Sequence, residues 1–134
     1  MFDALDIGAS GLAAQRTRMD VIAANIANSS TTHDGAGRPN PYRRRFALIA
    51  PGRPDDPATP GVHVQEVRQD MSALPKKYEP SNPDAGPDGY VQYPNIDPTV
   101  EFVNAIEASR AYEANVTMME VTKAMINASM RLIA

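Results

Sequence analysis

Proline is confined to one stretch of this chain. All twelve prolines fall between Pro39 and Pro98, and both ends are free of them. Proline removes a backbone donor and breaks helix interiors, so long helices are open only to the two ends. The middle, with its Gly-Pro and Asp-Gly pairs, is held extended and turned. The plan has three parts: an N-terminal helix over 1–29, an extended loop and β-hairpin insert over 30–97, and a C-terminal helix over 98–134. The fold class this predicts is mainly α, with two long terminal helices pairing as a coiled-coil-like hairpin and a Pro-rich middle carrying a small β-hairpin.

Both ends carry a seven-residue apolar repeat. Counting by sevens from Leu5 gives Leu12, Met19 and Ile26, with Phe2, Ala9, Ile22 and Ala23 widening the stripe. From Ala105 the same count gives Tyr112, Met119, Ile126 and Ile133. The interleaved series runs Phe102, Ser109, Val116, Lys123 and Met130, with Lys123 as a defect whose stem can lie on apolar surface. Asp97 can cap the second helix, Pro98 suits its first position and Glu101 adds negative charge near its start.

The first helix closes in "AANIANSS", where Asn25 and Asn28 are poor interior residues. They are there to cap, to contact a partner, or both. Asn28 suits a helix stop because Asn tolerates the left-handed conformation. A helix from Pro98 to Ile133 would be about 50 Å long, against a radius of gyration of about 14 Å for a compact chain of this length. The seams therefore predict pairing with each other and then with neighbouring copies; a self-contained monomeric hairpin is the alternative.

"YRRRFALIA" (42–50) and "GVHVQEVRQ" (61–69) are the two strand candidates, the second changing phase between Val64 and Val67. Arg43, Arg44 and Arg45 read as exposed strand charges or as a contact with an acidic neighbour. In "GYVQYPNID" the residues Tyr90, Val91, Tyr93 and Ile96 are anchors, either on this chain's own helices or between subunits.

Chemistry is not expected. A net charge of −3 gives no basic field for nucleic acid. With no cysteine and only His33 and His63, thirty residues apart, no metal, cofactor or thiol site is predicted. Ser29, Ser30, His33 and Asp34 lie in a loop with nothing to hold a nucleophile and base in geometry, and Asp55 and Asp56 lie among prolines. Not an enzyme is the reading. Asp3 and Asp6 stand where a cleaved export signal carries positive charge. The apolar run "FALIA" falls far short of the ~18 residues of a membrane span, so no membrane insertion is expected.

The motif "AANIANSST" resembles the N-terminal motif of bacterial flagellar rod and hook axial proteins. The segment "YEPSNPDAGPDGYVQYPNIDPTVEFVNAIEASRAYEANV" is similar to the proximal-rod members of that family, which carry GYV-xx-PN ahead of a helix with an ASRAY-x-AN core. A sister proximal-rod protein, the alternative within the family, has a GNNVD-type segment in place of Gly89 to Asn95. Asn82 stands where many members have histidine. The resemblance implies a structural subunit without a cofactor, whose ends are poorly ordered alone and fold into a helical layer lining a hollow tube. It implies export through the flagellar apparatus without a cleaved signal, and a tube that carries torque. The partners implied are copies of itself, other rod proteins, the rod adaptor and the membrane ring. Subunit contacts are expected along the seams and at Tyr90, Val91, Pro94 and Asn95, with Asn25 and Asn28 bonding backbone to set register. A helical-hairpin module capturing one partner helix is the alternative from another class.

Overall fold

Helices form where proline is absent. In the computed structural model, which describes residues 2–134 apart from the Phe2 side chain, α1 spans Phe2–Ala27 and α2 spans Pro98–Ile133. The place of Phe2 in the seam lies outside the described residues. Asp97 caps α2 by accepting a hydrogen bond from the Thr99 N–H at 3.0 Å, and Pro98 takes the first turn. The two helices are about 39 and 54 Å long.

They pack antiparallel at close range. Gly8 lies under Met119, Gly11 under Asn115, and Asn25 reaches Glu101. A Cβ on Gly8 would stand 2.7 Å from Met119 Cγ, and one on Gly11 2.9 Å from Asn115 Nδ2. Bare backbone at these points lets the axes approach. Because Gly8 meets Met119, roughly the last two turns of α2 project past the start of α1.

This close approach corrects the predicted seams. Tyr112, Val116, Met119 and Ile126 are half-buried, but the interleaved positions of α2 run one residue earlier than the apolar count gave. Glu101 and Ala108 are buried and Asn115 lies over Gly11, whereas Ser109 and Lys123 are exposed and Phe102 and Met130 are 56% and 63% exposed. Ile133 is exposed as well. A count of apolar residues passes over these positions because none of the three is a large apolar residue: Glu101 is held by Asn25 and Arg44, Ala108 is small, and Asn115 lies over the bare backbone of Gly11. On α1, Ile22 is buried, Leu5, Leu12, Met19 and Ile26 are half-buried, and Ala9 and Ala23 are on the exposed side.

The middle holds four strands in two ladders. β1 (Arg45–Pro51) pairs antiparallel with β2 (Val62–Gln69), and β3 (Lys76–Tyr78) with β4 (Tyr90–Gln92). In the first ladder Ala47 faces Val67 and Ile49 faces Val64, so Gln65 is an extra residue at a bulge. The bulge returns Val64 and Val67 to one face, which explains the phase change in the sequence. This hairpin lies lengthwise on α1, held at one end by Asn25 and Arg45 and at the other by the Val62 N–H donating to Ser10 Oγ at 3.1 Å. The lengths match, since the helix from Ser10 to Asn25 rises about 22 Å and a seven-residue strand about 23 Å.

The second ladder was not anticipated. It has three residues per strand, too short for any periodicity, and a Gly/Pro-rich loop separates its halves. Tyr78 faces Tyr90 across it with ring centroids 5.2 Å apart, and Val91 is 1% exposed.

Gly11→Leu is expected to destabilise the helix pair by about 1–3 kcal/mol through overpacking against Asn115. Gly35→Ala, which meets open space, is the control and should be near neutral. Urea denaturation of both variants checks this.

Candidate functional site

Asn25 is fully buried, and its amide is used at every corner. Nδ2 donates to the Arg45 carbonyl at 2.7 Å and to Glu101 Oε2 at 3.1 Å, while Oδ1 accepts from the Arg45 N–H at 3.0 Å. The side chain thus pairs with the first residue of β1 as a neighbouring strand would. Glu101, 1% exposed, also accepts from Arg44 Nε at 2.6 Å. Arg44 lies 3.6 Å from Asp70 through Nη1, and its N–H donates to Asn95 Oδ1 at 2.8 Å. Asn95 Nδ2 continues to the Asp70 carbonyl and to Ser72 Oγ at 2.9 and 3.0 Å. Five segments converge here: the end of α1, the start of β1, the end of β2, the Pro94–Asn95 segment and the first turn of α2.

Asn28 does a smaller job. Its Nδ2 donates to the Ala24 carbonyl at 2.8 Å and its Oδ1 accepts from Thr31 Oγ1. It caps the helix, and it does so without the left-handed conformation expected of it, since among the described residues only glycines have positive φ. Arg43, Arg44 and Arg45 are not a uniform exposed strip. Arg43 donates to the carbonyls of Asp70 and Ser72, Arg44 enters the ion pair, and only Arg45 is exposed, stacked on Tyr42.

The other anchors face inward too. Val91 and Pro94 are buried within this chain, Asn95 belongs to the node, and Tyr93 donates its hydroxyl to Glu79 at 2.8 Å. Asn82 donates to the same Glu79 carboxylate and accepts from the Asp84 N–H, contacts that stay local. Asp84 accepts from Thr32 Oγ1 at 2.6 Å and faces His33 at 3.2 Å, tying the loop after α1 to the loop before β4. Tyr90, at 44% exposure, is the one aromatic of this segment that remains at the surface.

Glu101 and Arg44 were missed as a pair. A signal existed, because Glu101 is one heptad before Ala108 and two before Asn115, on the face that meets α1. Its carboxylate read instead as a first-turn charge.

A second feature is the far side of α2. Val103, Ile106, Val121, Met125 and Leu132 recur at helical spacing opposite the α1 contact and are 54–89% exposed. The helix is apolar on two faces, and the described residues of this chain cover one. Among the described residues, no cluster of three metal-ligating side chains occurs and no helix is long and apolar enough to cross a membrane.

Asn25→Ala strands the Arg45 N–H and carbonyl and takes a donor from a buried carboxylate. It is expected to cost about 2–4 kcal/mol, against about 1 kcal/mol for Asn28→Ala, which removes the hydrogen bond to the Ala24 carbonyl at the end of α1. Unfolding in urea separates the two asparagines.

A pH dependence follows from three carboxylates held below their ordinary values. The Ser72 backbone N–H and hydroxyl, then Arg44, lower Asp70; the Thr32 hydroxyl, then His33, lowers Asp84; the Tyr93 hydroxyl, then Asn82, lowers Glu79. The native state then binds fewer protons than the unfolded one, so this stability is complete above the ordinary values of 3.8 and 4.5 and is lost as pH falls through and below them. Urea midpoints measured from pH 6 to pH 3 should drop, with a shallower fall in Asp84→Asn.

Two family models match the helical ends: "Flagella basal body rod protein" over residues 5–32 and "Flagellar basal body rod FlgEFG protein C-terminal" over residues 88–132. The chain is 40% identical to flagellar basal-body rod protein FlgC of Bacillus subtilis over 93% of each chain. It is 37% identical to FlgC of Borreliella burgdorferi over 99% of this chain and 97% of the relative, and 42% identical to FlgC of Aquifex aeolicus over 92% and 90%. The matched ends carry both Asn25 and Glu101, and the relatives span the middle as well: the chain belongs to the FlgC family of flagellar basal-body rod proteins.

Proposed function

We propose that this chain is a non-enzymatic structural subunit of the flagellar basal-body rod. Residues 1–29 and 98–134 serve as its axial helices, paired like a coiled coil, and 30–97 is the insert. In this reading, copies assemble with one another and with other rod proteins into a hollow helical tube of the proximal rod. The tube contacts the membrane ring and adaptor and carries torque, and the chain reaches it through the flagellar export apparatus.

Family membership supports the rod assignment, and one observation carries the assembly: none of the described residues of the chain covers the second apolar face of α2. Phe102, Met130 and Ile133, read from the sequence as subunit contacts, are exposed in the single chain, as Tyr90 partly is. Asn25, Ile22, Val91, Pro94 and Asn95 serve assembly indirectly, by fixing the shape that presents those surfaces. Leu5, Leu12, Met19 and Ile26, half-buried beside the helix contact, and Asn28 at its end can each take a share of a neighbouring subunit's surface.

Ile106→Glu tests this. The residue is 59% exposed, so far-ultraviolet circular dichroism and the unfolding midpoint should stay close to those of the unaltered chain. Incorporation into basal bodies should fall by about tenfold or more, since a charge is placed in a surface that must desolvate. Unchanged incorporation and motility would contradict the proposal.

A further inference from the structure

Resting on the rod-subunit reading, we infer that the exposed apolar face of α2 docks on the outer alanine face of α1 in a second copy of this chain. The α1 side turned away from α2 presents Ala9, Ala13, Ala23 and Ala27, all exposed, interrupted by Arg16 and Asp20. The α2 face presents bulky side chains interrupted by Arg110 and Glu113. Large residues on one helix and alanines on the other allow close ridge-into-groove contact.

Charge fixes which way the two faces meet. Laid antiparallel with Arg110 opposite Asp20, the helices bring Glu113 opposite Arg16 in the same register. That register also places Val103 against Ala27, Ile106 against Ala23 and Val121 against Ala9. Among the described residues none of Arg16, Asp20, Arg110 and Glu113 is engaged in an ion pair within the chain. A parallel arrangement pairing Arg110 with Asp20 sets Ile106 against Arg16 and loses the second pair.

The register also determines the kind of assembly. Within the chain Gly8 meets Met119 and Asn25 meets Glu101. The second copy's α1 is therefore displaced along α2 by roughly three to four residues, about 5 Å, from the chain's own α1. α1 and α2 are antiparallel in each copy, so the copies point the same way. The contact joins unlike faces with an axial step, and repetition yields a helix of subunits rather than a closed ring.

The chain has no cysteine, which gives a clean background for cross-linking. In the Ala9→Cys/Val121→Cys variant the two thiols lie on faces of α1 and α2 turned away from each other and cannot join within one chain. Oxidised basal bodies from the bacterium carrying this variant should give a ladder at multiples of 14.5 kDa, which either single variant lacks. Incorporated chain that stays monomeric after oxidation would overturn the contact while leaving the rod reading intact, and a product with a protein of another size would overturn the second copy as occupant. Absence of the unaltered chain from basal bodies would overturn both. As a second arm, Arg110→Asp and Asp20→Arg should each cut incorporation by about tenfold and together restore it to within about twofold. Failure of the double variant to recover, with its helicity unchanged, would also overturn the contact.

Discussion

A carboxylate taken out of water costs several kcal/mol unless neighbouring groups replace the solvation it loses. Glu101 is 1% exposed, and the replacement comes from Arg44 and Asn25, residues far away in sequence. Neither can deliver its group unless the end of α1 and the start of β1 are already in place. The node therefore couples folding of the two helices to folding of the middle, because its polar groups are satisfied together or left stranded together. It also fixes the helix pair lengthwise, where the glycine and methionine contacts farther along could slide.

Two helices around a strand-bearing middle, the start of α2 and the hairpin were legible in the sequence because each rests on local chemistry: proline exclusion, an Asp-Pro cap, and two β-rich runs. Four of the predicted α2 seam residues, Tyr112, Val116, Met119 and Ile126, are half-buried. The other half of the seam was misread because its occupants are Glu101, Ala108 and Asn115, and the partners that suit them, Asn25 and Arg44 for Glu101 and Gly11 for Asn115, are revealed only by the tertiary structure. The β3–β4 ladder left no periodic signal, and its stability comes from burying Val91 and pairing Tyr78 with Tyr90. Asn25 and Asn28 look equivalent in the motif, yet one meets Arg45 and Glu101 across the chain while the other bonds its own helix. That difference depends on partners 20 and 76 residues away.

The two ends of the helix pair differ in how complete they are. At the node Asn25 and Glu101 are buried, as are Ile22 one turn back along α1 and Ala108 two turns on along α2. Beyond Ala108 no described residue of α2 is buried, and Met125, Met130, Leu132 and Ile133 are each more than 60% exposed. The coverage of the two helices in a single molecule is graded. α1 is covered on two sides, by α2 and by the hairpin, while α2 is covered on one. A subunit built this way covers both helices near the node and leaves the outer part of α2 with its apolar side chains exposed.

Hydrogen exchange, compared between the single chain and assembled rods, tests this gradient most directly. In the single chain, amides near the node, over residues 21–28 and 101–108, should be strongly protected, with protection along α2 declining toward Ile133. Assembly should raise protection chiefly in that outer stretch. Uniform protection along the whole of α2 in the isolated chain, unchanged by assembly, would contradict the account.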